Sequence, residues 1–263
     1  MIPKKIHYCW FGNSDIPKEL RKCINSWKKM MPDYEIIKWN ENNYDINKCL
    51  YIKQAYESKK WAFVSDFVRL DVCYEHGGIY LDTDVEVLRS FNELLELKGF
   101  CGFEQGKDKK DNWVNTGLVL GMEKGLPIGK VLRDEYYNMS FIANNGKQNL
   151  VPCPIIQTNT LENYGLKKNN KVQIVEDMKI FSTEYFCPSN QYTGNVYITN
   201  NTFSIHHYCG SWNNNVDKSR REIRKKYSKY GKFLSNLIST YLAYKNEYGL
   251  LKMWKKILQK ILN

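Results

Sequence analysis

Residues 61–84, WAFVSDFVRLDVCYEHGGIYLDTD, constrain the chain more than any other stretch. Phe63, Val64, Phe67, Val68, Leu70 and Val72 recur at helical spacing and predict a helix over 61–75 that is apolar nearly all round. Gly77-Gly78 stops it, as glycine does at a left-handed cap. Residues 79–81 (Ile-Tyr-Leu) then read as a short buried strand, with Asp82 and Asp84 just beyond it. This order belongs in an α/β sheet and brings two carboxylates to the carboxyl end of a strand, where such sheets bind ligands. Alternate residues of an extended segment face the same way, so Asp82 and Asp84 are predicted to share a site that Thr83 faces away from. Paired oxygen donors there suit Mg²⁺ or Mn²⁺ bridged to phosphate. The competing reading is two solvated turn aspartates. Within the helix, Asp66 and Arg69 lie one turn apart. On a solvated face they would be an ordinary ion pair. In an apolar helix they need partners, such as hydroxyls for the carboxylate and phosphate for the guanidinium.

The flanking sequence extends the α/β pattern. Residues 5–11 read as a first strand, Pro17 suits a first helical turn, and Leu20, Cys23, Ile24 and Trp27 repeat at helical spacing up to about Met31. A second strand is predicted over 34–39 and a helix over 47–59. Beyond the aspartates come strands over 85–88, 99–103 and 113–120, with a mobile polar loop over 105–112. Helices are predicted over 129–137 and 155–164, and short strands mixed with loops over 172–208.

The chain has 263 residues and a net charge of +11, very unevenly placed. Residues 216–263 hold 13 of the 39 Lys and Arg but only Asp217, Glu222 and Glu247, so they carry +10 of the total. A neutral body, 1–215, therefore bears a basic tail, 216–263. Phe233, Leu234, Leu237, Ile238, Tyr241 and Leu242 form an apolar stripe in the tail. After a Tyr248-Gly249 break, Leu250, Leu251, Trp254, Ile257, Leu258, Ile261 and Leu262 form another. Basic amphipathic helices of this kind suit an anionic membrane surface, the alternative being packing on the body or a second subunit. Eight cysteines show no C-x-x-C or zinc spacing, and Cys9, Cys73, Cys101 and Cys209 read as small buried hydrophobes. Met1-Ile-Pro-Lys-Lys lacks a signal peptide's apolar run, and no segment is apolar enough to span a bilayer. The expectation is a reduced, cytoplasmic protein, peripheral on the membrane if the tail binds it, with no nucleic-acid partner.

Two further features bear on chemistry. His206-His207 follows a strand-like Phe203-Ser-Ile205, and one imidazole could complete the metal site from far along the chain. Trp10, just after the first strand, could stack on a base or fill core. No Rossmann G-x-G-x-x-G or P-loop is present, so side chains and metal would have to hold any phosphate.

Together these residues resemble glycosyltransferase family 32, whose sugar-binding region contains a DXD motif, and more distantly the catalytic domains of large glucosylating toxins. The likeness runs through Ile2-Pro-Lys-Lys-Ile-His-Tyr-Cys-Trp10, Ser26-Trp27, Pro32-Asp33-Tyr34, Ala62 to Asp84, Asn115, the segment 154–158 and His206-His207…Ser211-Trp212. It departs at Cys153-Pro154, where the family has Gly-Pro, and at the Thr-Gly after Asn115. The resemblance implies a GT-A fold, a Rossmann-like mixed sheet flanked by helices, and retaining transfer from a nucleotide-diphosphate sugar, UDP-linked by preference. It implies that Trp10 stacks on the base and that Ser65 and Tyr80 line the nucleotide pocket. Asp66, Arg69 and Asn115 would hold the donor, and Ser211 and Trp212 its β-phosphate. The metal would be held by Asp82, Asp84 and His207, with His206 the substitute. The expected acceptor is a saccharide or lipid-linked glycan, in capsular or other surface polysaccharide synthesis. Two other classes stay open: a non-catalytic membrane or nucleic-acid binder using the tail, and a nucleotidyltransferase, which the lack of a glycine-rich phosphate loop disfavours.

Overall fold

Seven strands form one mixed sheet in the order β2-β1-β3-β6-β5-β8-β7. They belong to a computed structural model that describes residues 1–106, 111–190, 195–209, 219–220, 223–224, 226–227 and 230–261. β1 (Lys5–Cys9) leads into α1 (Lys18–Met30), which buries Leu20, Cys23, Ile24 and Trp27, and then into β2 (Glu35–Trp39) parallel to β1. α2 (Leu50–Glu57) and α3 (Trp61–His76) return the chain to β3 (Gly78–Tyr80) on the other side of β1, again parallel. Strand order thus reverses at β1, and the carboxyl ends of β1 and β3 flank the crevice that such a reversal opens. Gly77 caps α3 at φ 64°, the left-handed region predicted for it.

The other half of the sheet is β5 (Gly99–Gln105), β6 (Asn112–Met122), β8 (Met178–Phe181) and the edge strand β7 (Gln173–Val175). β6 runs antiparallel to both β3 and β5. The polar 105–112 segment is shorter than predicted: Gln105 and Asn112 pair as strand residues, and 107–110 lie outside the described residues. α4 (Pro127–Asp134) and α5 (Cys153–Glu162) pack with α3 and β6, and the short α6 (Thr183–Phe186) packs on β5. A separate two-stranded sheet pairs β4 (Val85–Val87) with β9 (Ser204–His206). The apolar core gathers around α3, with Val64, Phe67, Val68, Leu70, Val72 and Cys73 all buried against it.

The chain divides into two units, residues 1–189 with 196–207, and residues 190–195 with 208–263. The second contains α7 (Lys232–Ile261), which departs from helical geometry at Gly249, where a break is predicted. Leu234, Leu237 and Tyr241 of α7 are exposed while Ser235, Ser239, Ala243 and Tyr244 are buried. Among the described residues no helix is long and apolar enough to cross a membrane. None of the eight cysteines is in a disulfide, and seven are buried. Cys209 is exposed, contrary to its reading as a buried hydrophobe, because it lies past the last paired strand residue, His206.

Candidate functional site

The site stands at the carboxyl ends of β1 and β3. Its floor is α3, which is buried on nearly every face, so its charged residues are forced to find partners inside the protein. Asp71 finds the hydroxyl of Tyr44 and the ammonium of Lys48, each at 2.6 Å. Arg69, 4% exposed at its side chain, lies 3.2 Å from Asp66 and 3.1 Å from Asp82 and so bridges two carboxylates. The Asp66–Arg69 pair is thus part of a buried cluster rather than a surface ion pair.

Burial pushes Asp66 up to about 6 against the opposing pull of Arg69. Burial alone would lower the Arg69 pKa, but Asp82 leads the groups that hold the guanidinium fully charged. Tyr80 donates its hydroxyl to Asp82 Oδ1 at 2.9 Å, and the Arg69 guanidinium lies 5.1 Å over its ring. Because Tyr80 is fully buried, its contribution to the site passes through Asp82. Cys153, the departure at the start of α5, places its sulfur 3.3 Å from Arg69 Nη1 and closes the cluster from that side.

The aspartates do not sit on an extended strand. β3 ends at Tyr80, and the Val85 amide donates to the Asp82 carbonyl at 3.0 Å, which makes residues 82–85 a turn. Turn geometry replaces strand alternation, and the two carboxylates converge with a third group. Asp84 Oδ1 is 3.1 Å from His206 Nε2, and ligand atoms of Asp82, Asp84 and His206 all lie within 4.8 Å of one another. Two carboxylate oxygens and an imidazole nitrogen are a donor set that fits Mn²⁺ or Mg²⁺. His207 is directed elsewhere: its Nε2 lies 2.8 Å from Glu86 Oε2, and its side chain is 40% exposed. The pairing of β4 with β9, Val85 opposite His206, decides which histidine meets Asp84. Burial disfavours a charge on His206, yet the facing Asp84 carboxylate outweighs it and holds the imidazole above its ordinary value.

The remaining predicted residues are spread around this centre. Trp10 follows β1, is partly exposed, and donates its indole N–H to the Ser14 carbonyl at 2.6 Å. The Ser65 hydroxyl donates back to the Trp61 carbonyl within α3. Asn115 is buried beside Asp82, where its Nδ2 donates to Glu104 Oε2 at 2.9 Å and its Oδ1 accepts the Gly117 amide at 2.7 Å. Ser211 and Trp212 lie outside the described residues. Glu104 and Gly117 were not singled out from sequence. Gly117 carried the better signal, since an isolated glycine in a strand pattern marks a bulge or a close approach.

Residues 17–100 match the family model described as the glycosyltransferase sugar-binding region containing the DXD motif. An uncharacterised glycosyltransferase of Acanthamoeba polyphaga mimivirus is 25% identical over 224 residues, 81% of this chain and 84% of that one. Inositol phosphoceramide mannosyltransferase 3 of Schizosaccharomyces pombe is 29% identical over 130 residues, which is 48% of this chain and 35% of that protein. Among solved structures, the PaToxG glycosyltransferase is similar at 20% identity and a TM-score of 0.47, covering 62% of this chain and 69% of that one. The matched segment contains Asp66, Arg69, Asp82 and Asp84, and over it the chain is similar to the glycosyltransferases whose sugar-binding region contains the DXD motif.

Proposed function

We propose that the protein moves a hexose or N-acetylhexosamine from a nucleotide-diphosphate sugar, UDP-linked by preference, to a glycan acceptor, with Asp82, Asp84 and His206 holding a divalent ion, Mn²⁺ or Mg²⁺. The observation that carries this reading is the convergence of those three side chains beside the buried Arg69, in a chain whose residues 17–100 match the DXD glycosyltransferase model. A divalent ion bound there supplies fixed positive charge against the departing nucleoside diphosphate. Arg69 adds a second fixed charge that burial and two carboxylates keep in place. Asp66 and Asn115 offer an acceptor and a donor for sugar hydroxyls. Trp10, partly exposed at the end of β1, offers a face for the base. Ser65 would border the nucleotide, and Ser211 and Trp212 would meet the β-phosphate.

The acceptor hydroxyl would attack the sugar from the face the diphosphate leaves, its oxygen bonding to the anomeric carbon as the carbon–phosphate oxygen bond breaks and its proton passing to the departing diphosphate, which retains configuration. A covalent glycosyl-enzyme trapped on any side chain would overturn that step. The decisive experiment is a hydrolysis and transfer screen of UDP- and GDP-sugars with Mn²⁺, with mannose donors included because one relative is named a mannosyltransferase. Turnover that needs the metal supports the reading, and none with any donor sinks it.

The tail supports a location. Residues 216–263 carry most of the net positive charge, and Leu234, Leu237 and Tyr241 are exposed on one face of α7. That arrangement suits the cytoplasmic face of an anionic membrane and a lipid-linked or growing surface-glycan acceptor, capsular or otherwise. Sedimentation with vesicles containing anionic lipid should carry down the full chain and not a version lacking 216–263. Equal sedimentation of the two would remove the proposal.

A further inference from the structure

β5 and β6 do not pair evenly. Cys101 lies opposite Leu120, but the next residue, Gly102, lies opposite Asn115, so residues 116–119 of β6 have no partner on β5. Such irregularities bend a strand and leave backbone groups to be satisfied elsewhere. Here α5 holds the Thr116 amide of the released stretch and the Val114 amide just before it. Thr158 Oγ1 accepts the Val114 amide at 2.8 Å, and the Gln157 side chain accepts the Thr116 amide at 3.2 Å while donating to the Thr116 hydroxyl at 2.8 Å. The released segment reaches Asp82, whose amide donates to the Gly117 carbonyl at 3.0 Å.

The contact is closer than any other residue type would allow. A methyl group built on Gly117 would collide with Asp82 Oδ2 and crowd Asn115 Oδ1 at 2.9 Å and Arg69 Nη1 at 3.1 Å. The Asp82 carboxylate therefore rests against the bare Gly117 backbone on one side, with Arg69 and Tyr80 on the other. Asn115 holds Gly117 through its Oδ1, and Glu104, 8% exposed, fixes which way the Asn115 amide faces by accepting from its Nδ2. A flipped amide would point N–H at N–H and carboxylate at carbonyl oxygen.

We propose that Glu104, Asn115 and Gly117 form a positioning relay for Asp82: Glu104 orients the Asn115 amide, the amide fixes the Gly117 backbone, and the missing side chain at 117 sets where the Asp82 carboxylate stands. Glu104 and Gly117 are positioning residues that act through Asp82. The relay's effect on turnover rests on the glycosyltransferase reading, but its geometry does not.

Thermal unfolding of Gly117→Ala, Asp82→Ala and the double variant tests the geometry without reference to activity. Gly117→Ala should lower the Tm, and Asp82→Ala, by removing the oxygen that collides, should restore more than half of that loss. Additive losses would overturn the relay. Should Gly117→Ala fail to fold alone, recovery of a folded double variant supports the relay, and an unfolded double variant overturns it. Glu104 is tested by turnover of a UDP-sugar with Mn²⁺. Glu104→Gln keeps an acceptor oxygen and should stay within about threefold of wild type, whereas Glu104→Leu frees the amide and should lose about tenfold or more in kcat. Equal losses in both would show that the charge and not the orientation matters, and would overturn this arm. Wild-type protein without turnover on any donor defeats the glycosyltransferase reading, while the unfolding cycle still decides the relay.

Discussion

Asp82 and Asp84 are one residue apart, yet different parts of the molecule hold them. Asp82 leaves the main sheet after β3 and meets Arg69 from α3, Tyr80 from β3 and Gly117 from β6. Asp84 leads into the two-stranded sheet, where β9 brings His206 to it from far along the chain. The Asp82 half is charge-balanced by a guanidinium that keeps its proton. The Asp84 half is balanced by an imidazole that can give its proton up. A divalent ion can replace the His206 proton between Asp84 and His206, whereas at Asp82 it must share the carboxylate with Arg69. On the proposed metal reading, Asp84 and His206 would be the ligands most open to the ion, with Asp82 the carboxylate held in readiness.

The two halves should fail differently when their charges are removed, and the largest effect is expected at Asp84. Asp84→Asn leaves the fold and lowers Mn²⁺-dependent turnover by at least about a hundredfold. Asp82→Asn lowers turnover less and stability more, since Arg69 then keeps only Asp66. Steady-state kinetics beside thermal unfolding separates them, and an active Asp84→Asn would end the metal reading. Arg69→Met goes further along the second route. It strands Asp66 and Asp82 without their shared cation and should cost about 3–5 kcal/mol in urea unfolding. A loss below about 1 kcal/mol would mean that the cluster is solvated and not buried as described.

Two buried histidines, His7 outside either half and His206 in the second, respond to pH in opposite senses. His7, in β1, is fully buried; Trp39 Nε1 can only donate, so it bonds to His7 Nδ1 at 3.1 Å, and the proton sits on Nε2, 2.8 Å from the Gly77 carbonyl. Burial lowers His7 from 6.5 to about 4, so the unfolded chain takes up its proton first as the pH falls. Its contribution is complete above about pH 6.5 and declines toward pH 4, by about 3 kcal/mol in all. His206 is raised instead, so in metal-free protein its contribution is present below 6.5 and is lost as the pH climbs through its raised value. Urea midpoints from pH 4 to 9 should show both limbs, the acid one absent in His7→Gln and the alkaline one in His206→Gln. A limb that survives its own variant assigns it to another group.

Sequence made the first half readable and left the second open, for a physical reason. The helix, the glycine stop and the short strand over 61–81 are local, and their spacing alone predicts α3, Gly77 and β3 within a residue or so. That spacing sets Asp66 and Arg69 one turn apart and Asp82 just past the strand, but it leaves an ordinary ion pair and solvated turn aspartates open, and their roles come from the family resemblance. What local reading missed at Asp82 was the turn, because strand alternation and a turn both place the carboxylates together. The second half depends on long-range pairing. A one-residue shift between β4 and β9 would exchange His206 for His207, and nothing in either segment announces the register. Glu104 and Gly117 are hidden for the same reason, since the uneven pairing of β5 and β6 gives them their neighbours.

The smallest expected effect therefore tests the register most sharply. His206→Ala removes one of three converging ligand atoms and should weaken Mn²⁺ binding by about 10–100-fold in isothermal titration. His207→Ala breaks a pair with Glu86 whose two side chains are 40% and 42% exposed, and a pair in water contributes little. That variant should bind Mn²⁺ within about twofold of wild type, because neither His207 nor Glu86 is among the converging groups. The affinity of the His206 site should also fall with decreasing pH as protons compete for the imidazole, and Mn²⁺ binding should release a proton into buffer. A His207→Ala protein that loses the metal while His206→Ala keeps it would move the register by one residue. It would leave Asp82 and its relay in place, because that half does not depend on β9.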